Sequence, residues 1–150
     1  LKLGKDAEKW ALAGLLHDID VEITNADPKI HGQKAVEILR EQNIDEDIID
    51  AIAMHNEESS NLKRHTIFQH ALAAGETITG LIHTTALVYP DKKLSSVKNK
   101  SVKKRMRERK FAASVSRENI LECEKIGLSI DEFIDIAIKA MRDISEEIGL

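Results

Sequence analysis

The sequence predicts an all-α protein, a compact bundle of about six to eight helices. Three observations carry this. Apolar residues recur at helical spacings, and no segment alternates as a strand would. Aromatic residues are few (Trp10, Phe68, Tyr89, Phe111 and Phe133), so Leu, Ile, Val and Ala must build the core, which suits helix packing. Two prolines and seven glycines in 150 residues leave room for long uninterrupted elements. That length, with 42% hydrophobic and 32% charged residues, fits one globular domain, 1–150, with a real core.

Each element has its own signal. Asp6–Ile19 reads as an amphipathic helix, with Trp10, Ala13, Leu16 and Leu12, Leu15, Ile19 at helical spacings. Val21–Pro28 is a polar connection, and Pro28 suits the first turn of a helix that runs on through Ile30–Gln42. Asp45 can cap a third helix carrying Ile48, Ile49, Ile52 and Ala53 and leading to His55. Asn56–Lys63 is a loop by composition. Arg64–Val88 is one long apolar helix, ended before Tyr89–Pro90 because a residue preceding proline disfavours the α region. Ser96–Arg109 is a short basic helix. Ser116 can cap Arg117–Ile126, which Gly127 ends. In the last helix Ser129 and Glu132 form a capping box, Leu128 and Phe133 a hydrophobic staple, and Gly149 a C-terminal stop.

Composition also excludes. No apolar run approaches 18 residues, so no membrane partner is expected. Cys123 is the single cysteine and forms no internal disulfide; with no signal-peptide pattern, a reducing cytoplasm is the expected location. The net charge of −4 hides an asymmetry: Lys92–Lys110 holds ten Lys/Arg and one acid, Glu108, a local +9 against −13 elsewhere. That suits a local anion contact. Lys103, Lys104, Arg105 and Arg107 are therefore candidates for substrate phosphates, with a solvated helix face as the alternative. Nucleic acid is not expected, because the chain is acidic and only Phe111 adjoins the basic helix for base stacking.

The chemistry-bearing candidates are histidines and carboxylates. His17 and Asp18 close an apolar helix in Ala-Gly-Leu-Leu-His-Asp-Ile-Asp. Burying a carboxylate beside an imidazole is costly without compensation. A divalent transition metal, Mn, Fe, Co, Ni or Zn, supplies it and suits N/O ligands better than Ca. From spacing alone, a surface helix end is an equal alternative.

Leu-Leu-His-Asp-Ile-Asp resembles the HD superfamily of metal-dependent phosphohydrolases, the branch whose motif reads His-Asp-Ile-Gly, with Asp20 in place of that glycine. The resemblance continues through Asp27-Pro-x-x-His-Gly32, Met54-His55-Asn56-Glu57, Ala74-Gly-Glu-Thr-Ile-Thr-Gly-Leu-Ile82 and Ser116-Arg117-Glu118. It implies an HD-domain-like bundle of the small stand-alone prokaryotic kind. Its metal ligands are a first-helix histidine, the doublet His17–Asp18 and a distant carboxylate, which falls here on Glu76. The sixteen residues before His17 contain no histidine. The helix carrying that ligand is thus expected upstream of Leu1, or a second copy in a homo-oligomer supplies it.

His31 and His55 match the extra histidines some HD proteins use for a second metal or for gripping phosphate. The implied activity is hydrolysis of a phosphate ester or anhydride of a small phosphorylated molecule, a nucleotide being the expected substrate. The metal activates water, Asp18 orients it, and His31 or His55 offsets charge on the phosphoryl oxygens. Asp20 or Asp27 would shuttle a proton. The alternative is a catalytically silent nucleotide- or phosphate-binding regulatory module with a degenerate site. His65, His70 and His83 have no motif around them and read as structural or exposed.

Overall fold

In a computed structural model residues 3–150 are described, and among them there are eight α-helices and no strand. The all-α expectation holds. Contacts divide the chain into two compact units, Leu1–Ala73 and Ala74–Leu150, with the boundary inside the longest helix.

In the first unit, α1 (Ala7–Leu16) starts at Asp6, whose carboxylate accepts from Lys9 N. It ends at Leu16, three residues before the expected Ile19, and turns follow through Ala26. Of its two apolar rows, Ala13 and Leu16 turn to the core, and Trp10 stacks on Phe68 with centroids 5.0 Å apart. Leu12, Leu15 and Ile19 stay exposed.

Helix α2 (Gln33–Glu41) begins later than expected at Pro28 or Ile30. Gly32 takes φ +91° and breaks the helix there, and Asp20, twelve residues back, receives the N–H groups of Gly32 and Ala35. The helix is thus capped from a distance, which a search for local caps cannot find. Helix α3 (Glu46–His55) is capped by Asp45 as expected. The segment expected as a loop, Asn56–Lys63, holds a short helix, α4 (Glu57–Ser60), capped by Asn56. Helices α1 and α2 both pack on α3 around Ala35, Leu39, Ile48, Ile49, Ile52 and Leu72. Each fully buried Leu or Ile contributes roughly 1.5–3 kcal/mol by leaving water.

Helix α5 (Ile67–Leu87) starts three residues inside the expected Arg64. Thr66 Oγ1 accepts from Gln69 N, and Gln69 Oε1 accepts from Thr66 N, a capping box of the T-x-x-Q kind.

The second unit holds α6 (Asn99–Arg107), α7 (Arg117–Leu121) and α8 (Ile130–Asp143), with 3₁₀ turns at Leu94–Ser96 and Glu122–Ile126. The basic helix thus begins at Asn99, after a 3₁₀ turn. Ser116 caps α7, Gly127 ends the following turn at φ +81°, and the Ser129–Glu132 capping box forms. Helix α8 stops at Asp143, well before Gly149, and turns continue from there. The segment between α6 and α7 is held by buried Arg117, whose guanidinium donates to the carbonyls of Arg105, Glu108, Phe111, Ala112 and Val115. Cys123 is buried, and burial pushes its thiol up to about 11. No helix among the described residues is long and apolar enough to cross a membrane.

Candidate metal centre

Three helix ends of the first unit converge. His17 follows the last residue of α1, His31 lies in the turn before α2, and His55 is the last residue of α3. Helix ends leave carbonyls without intrahelical partners, and two of these rings use them. His17 Nδ1 lies 2.7 Å from Gly14 O, and His55 Nδ1 lies 2.5 Å from Ile52 O. His31 Nδ1 lies 2.7 Å from the Asp20 carboxylate. A carbonyl or carboxylate oxygen only accepts, so in each neutral ring the proton sits on Nδ1 and the lone pair on Nε2.

All three Nε2 atoms face Asp18. His17 Nε2 is 3.2 Å from Oδ2, His31 Nε2 is 3.1 Å from Oδ1, and His55 Nε2 is 3.9 Å from Oδ1. Ligand atoms of Asp18, His31 and His55 all fall within 4.8 Å of one another. His31 Nε2 and His55 Nε2 are only 3.0 Å apart, with the rings nearly perpendicular at 85°. Two lone pairs at that separation repel unless a cation lies against them. A proton is the poorer candidate at His55, where burial pulls the pKa down to about 4. When protonated, His17 donates from Nε2 to Asp18 as well as from Nδ1 to Gly14 O, and that hydrogen bond, opposed by burial, holds Asp18 below the ordinary carboxylate range, so it is anionic at neutral pH. The neutral imidazoles of His31 and His55 and the Asp18 carboxylate fit a borderline divalent transition metal. The Asp18 side chain is 51% exposed, so the open side of the cluster is reachable from solvent.

A second layer of contacts fixes these positions. Asn56 Nδ2 donates to Pro28 O at 2.7 Å and His31 O at 2.9 Å, tying the His31 turn to the end of α3. Buried Arg64 donates to the carbonyls of Met54 and His55, both at 3.0 Å. In the sequence Asn56 stands only as part of Met54-His55-Asn56-Glu57, and nothing there marks Arg64 as a support of the site. An Asn directly after a helical histidine is the signal that could have marked the first.

The other candidates are placed as follows. Asp20 has no exposed surface and three N–H partners, which leaves it no route to solvent as a proton shuttle. Asp27 is exposed and accepts from Lys29 N in a turn. Glu76 belongs to the second unit, on α5, where its carboxylate accepts from Thr77 Oγ1. In the basic helix, Lys103 pairs with Asp131, Lys104 and Arg105 pair with Glu108, and Arg105 lies over the Phe111 ring. Among the described residues Arg107 has no ion pair, whereas Lys103, Lys104 and Arg105 of the same helix are engaged within the unit. His65 and His83 are exposed, whereas His70 is buried.

A family model described as HD domain matches residues 1–82, a span that includes every residue of the histidine cluster. Comparisons with curated proteins and with solved structures find no match.

Proposed function

The chain belongs to the HD domain family, and from that premise we propose that it is a metal-dependent phosphohydrolase acting on a phosphate ester or anhydride of a small molecule, with nucleotides as the first class to test. One observation carries the reading: the Nε2 atoms of His17, His31 and His55 turn toward one half-exposed carboxylate while every Nδ1 is already engaged. His31, His55 and Asp18 would hold a divalent ion, with His17 at the edge of the set. Such an ion supplies Lewis acidity at neutral pH, activating water and offsetting charge on a phosphoryl oxygen.

The chain's own groups do the rest. Asp18, held anionic by His17, offers its second oxygen to orient a water by hydrogen bonding. The imidazole of His17, only partly buried, has Nδ1 on Gly14 O and Nε2 on Asp18, so its part is to hold that carboxylate in place. Two expectations concern residues of the second unit and are proposed on other grounds. Glu76 as a further ligand rests on the resemblance, and Lys103, Lys104, Arg105 and Arg107 as phosphate contacts rest on charge. Glu76→Ala assayed for metal content, and Lys104→Gln with Arg107→Gln assayed for KM, test them.

The deciding experiment is elemental analysis of the purified protein paired with phosphate release from a panel of nucleotides and sugar phosphates. The wild type is expected to carry a transition metal and turn over at least one class, and His17→Ala and Asp18→Ala to lose both properties. Undiminished phosphate release by the metal-stripped double variant would end the proposal. Metal uptake without turnover across the panel would favour a silent binding module.

A further inference from the structure

Among the described carboxylates of the first unit, Asp20 alone is buried, at 0% exposure, and it stands where the motif's glycine is expected. We infer that Asp20 is a positioning residue for His31: it fixes the ring in the Nδ1–H form, so that Nε2 becomes the ligand atom, and the start of α2 enforces that choice. The inference rests on the metal-centre reading above and deepens it.

The geometry runs in one direction. Asp20 Oδ2 accepts from Gly32 N at 2.8 Å and from Ala35 N at 3.0 Å. Backbone N–H groups only donate, so these bonds fix how the carboxylate is turned. Oδ1 is then left 2.7 Å from His31 Nδ1. It can only accept, so the ring must donate, and the lone pair falls on Nε2, 3.1 Å from Asp18 Oδ1. Carboxylate-to-imidazole contacts of this kind set both tautomer and ring angle in metal sites. Here the same carboxylate also caps a helix, so the helix start and the ligand atom are set by one side chain. Glycine at position 20 provides neither bond.

Asp20→Asn tests this because it changes one atom. The asparagine oxygen is expected to stay with the two backbone donors, since the opposite orientation sets an NH₂ group against two N–H groups. The NH₂ then faces His31 Nδ1, which must accept, and the ring proton moves to Nε2. Imidazole ¹⁵N spectra of the metal-free protein at pH 8 should show His31 protonated on Nδ1 in the wild type and on Nε2 in the variant. Zn²⁺ affinity, measured by chelator competition, should fall by about 10–100-fold. The thermal midpoint without metal should change little, because both backbone bonds persist; a purely structural role would move the midpoint and leave the tautomer alone.

A wild-type His31 protonated on Nε2 overturns the inference, as does a variant that binds Zn²⁺ with unchanged affinity. A wild type that takes up no Zn²⁺ overturns the metal reading and this inference together, whereas a Zn²⁺-binding wild type beside an indifferent variant overturns the inference alone. Should the variant not fold, the wild-type spectrum decides.

Discussion

Replacing Gly32 by alanine puts a methyl group 3.2 Å from His55 Cε1 and 3.5 Å from His55 Nδ1, at a residue whose φ is +91°. Two costs follow. An L side chain in that left-handed conformation costs roughly 1–2 kcal/mol, offset by roughly 0.4–1 kcal/mol because alanine restricts the unfolded chain. The net loss is about 1 kcal/mol, which for a domain of this size lowers the thermal midpoint by roughly 2–4 °C. The second cost falls on the site. The same edge of the ring is tied through Nδ1 to Ile52 O, which lies 3.7 Å from that methyl, so the ring yields by tilting about this bond, and its Nε2 leaves the position 3.0 Å from His31 Nε2. Metal affinity should then fall by about 10-fold, the low end of what displaced support around a ligand costs. Gly127→Ala is the control. Its φ is +81°, but a Cβ there meets nothing within 4 Å, so it should share the stability loss and leave metal affinity alone. Scanning calorimetry of the metal-free proteins and Zn²⁺ titration supply the two readouts. Equal metal affinities for the wild type and Gly32→Ala would refute the argument that this glycine exists to admit the His55 ring.

Three further outcomes are expected. Burial holds His55 near 4 in the folded metal-free protein against 6.5 unfolded, so its contribution is whole above pH 6.5 and fades as pH falls toward 4, on the order of 3 kcal/mol; urea midpoints at pH 7.5 and 4.5 check this, and a His55→Asn variant should show a smaller drop. Asn56→Ala removes the bonds to Pro28 O and His31 O together with the α4 cap and should cost about 1–3 kcal/mol while weakening metal binding; an Asn56→Ala protein with wild-type Zn²⁺ affinity would show that these bonds do not position His31. Arg117→Met removes a guanidinium shared among five carbonyls and leaves those carbonyls short of a donor, which should lower stability by about 3 kcal/mol, read from urea unfolding.

Local order was legible because it depends on neighbours within about four residues. Apolar periodicity marked the helices, and Asp45, Ser116 and the Ser129–Glu132 box marked three starts that the structure keeps. The T-x-x-Q box at Thr66–Gln69 was equally local and was overrun by the apolar stretch around it. Helix α2 departs from its local signal for a different reason: its cap comes from Asp20, and Gly32 breaks the chain four residues after Pro28, where the sequence alone predicts the helix to begin.

The sequence by itself determined the helical class, the starts of four of the eight α-helices and the His17–Asp18 candidate pair, since periodicity and capping are properties of short windows. Only the tertiary structure decided that residues 17, 31 and 55 aim their Nε2 atoms at one carboxylate and that Asp20 faces inward. Those facts depend on α1 and α2 packing against α3 and on which ring nitrogen each helix end already occupies, and neither is written in any local run of residues.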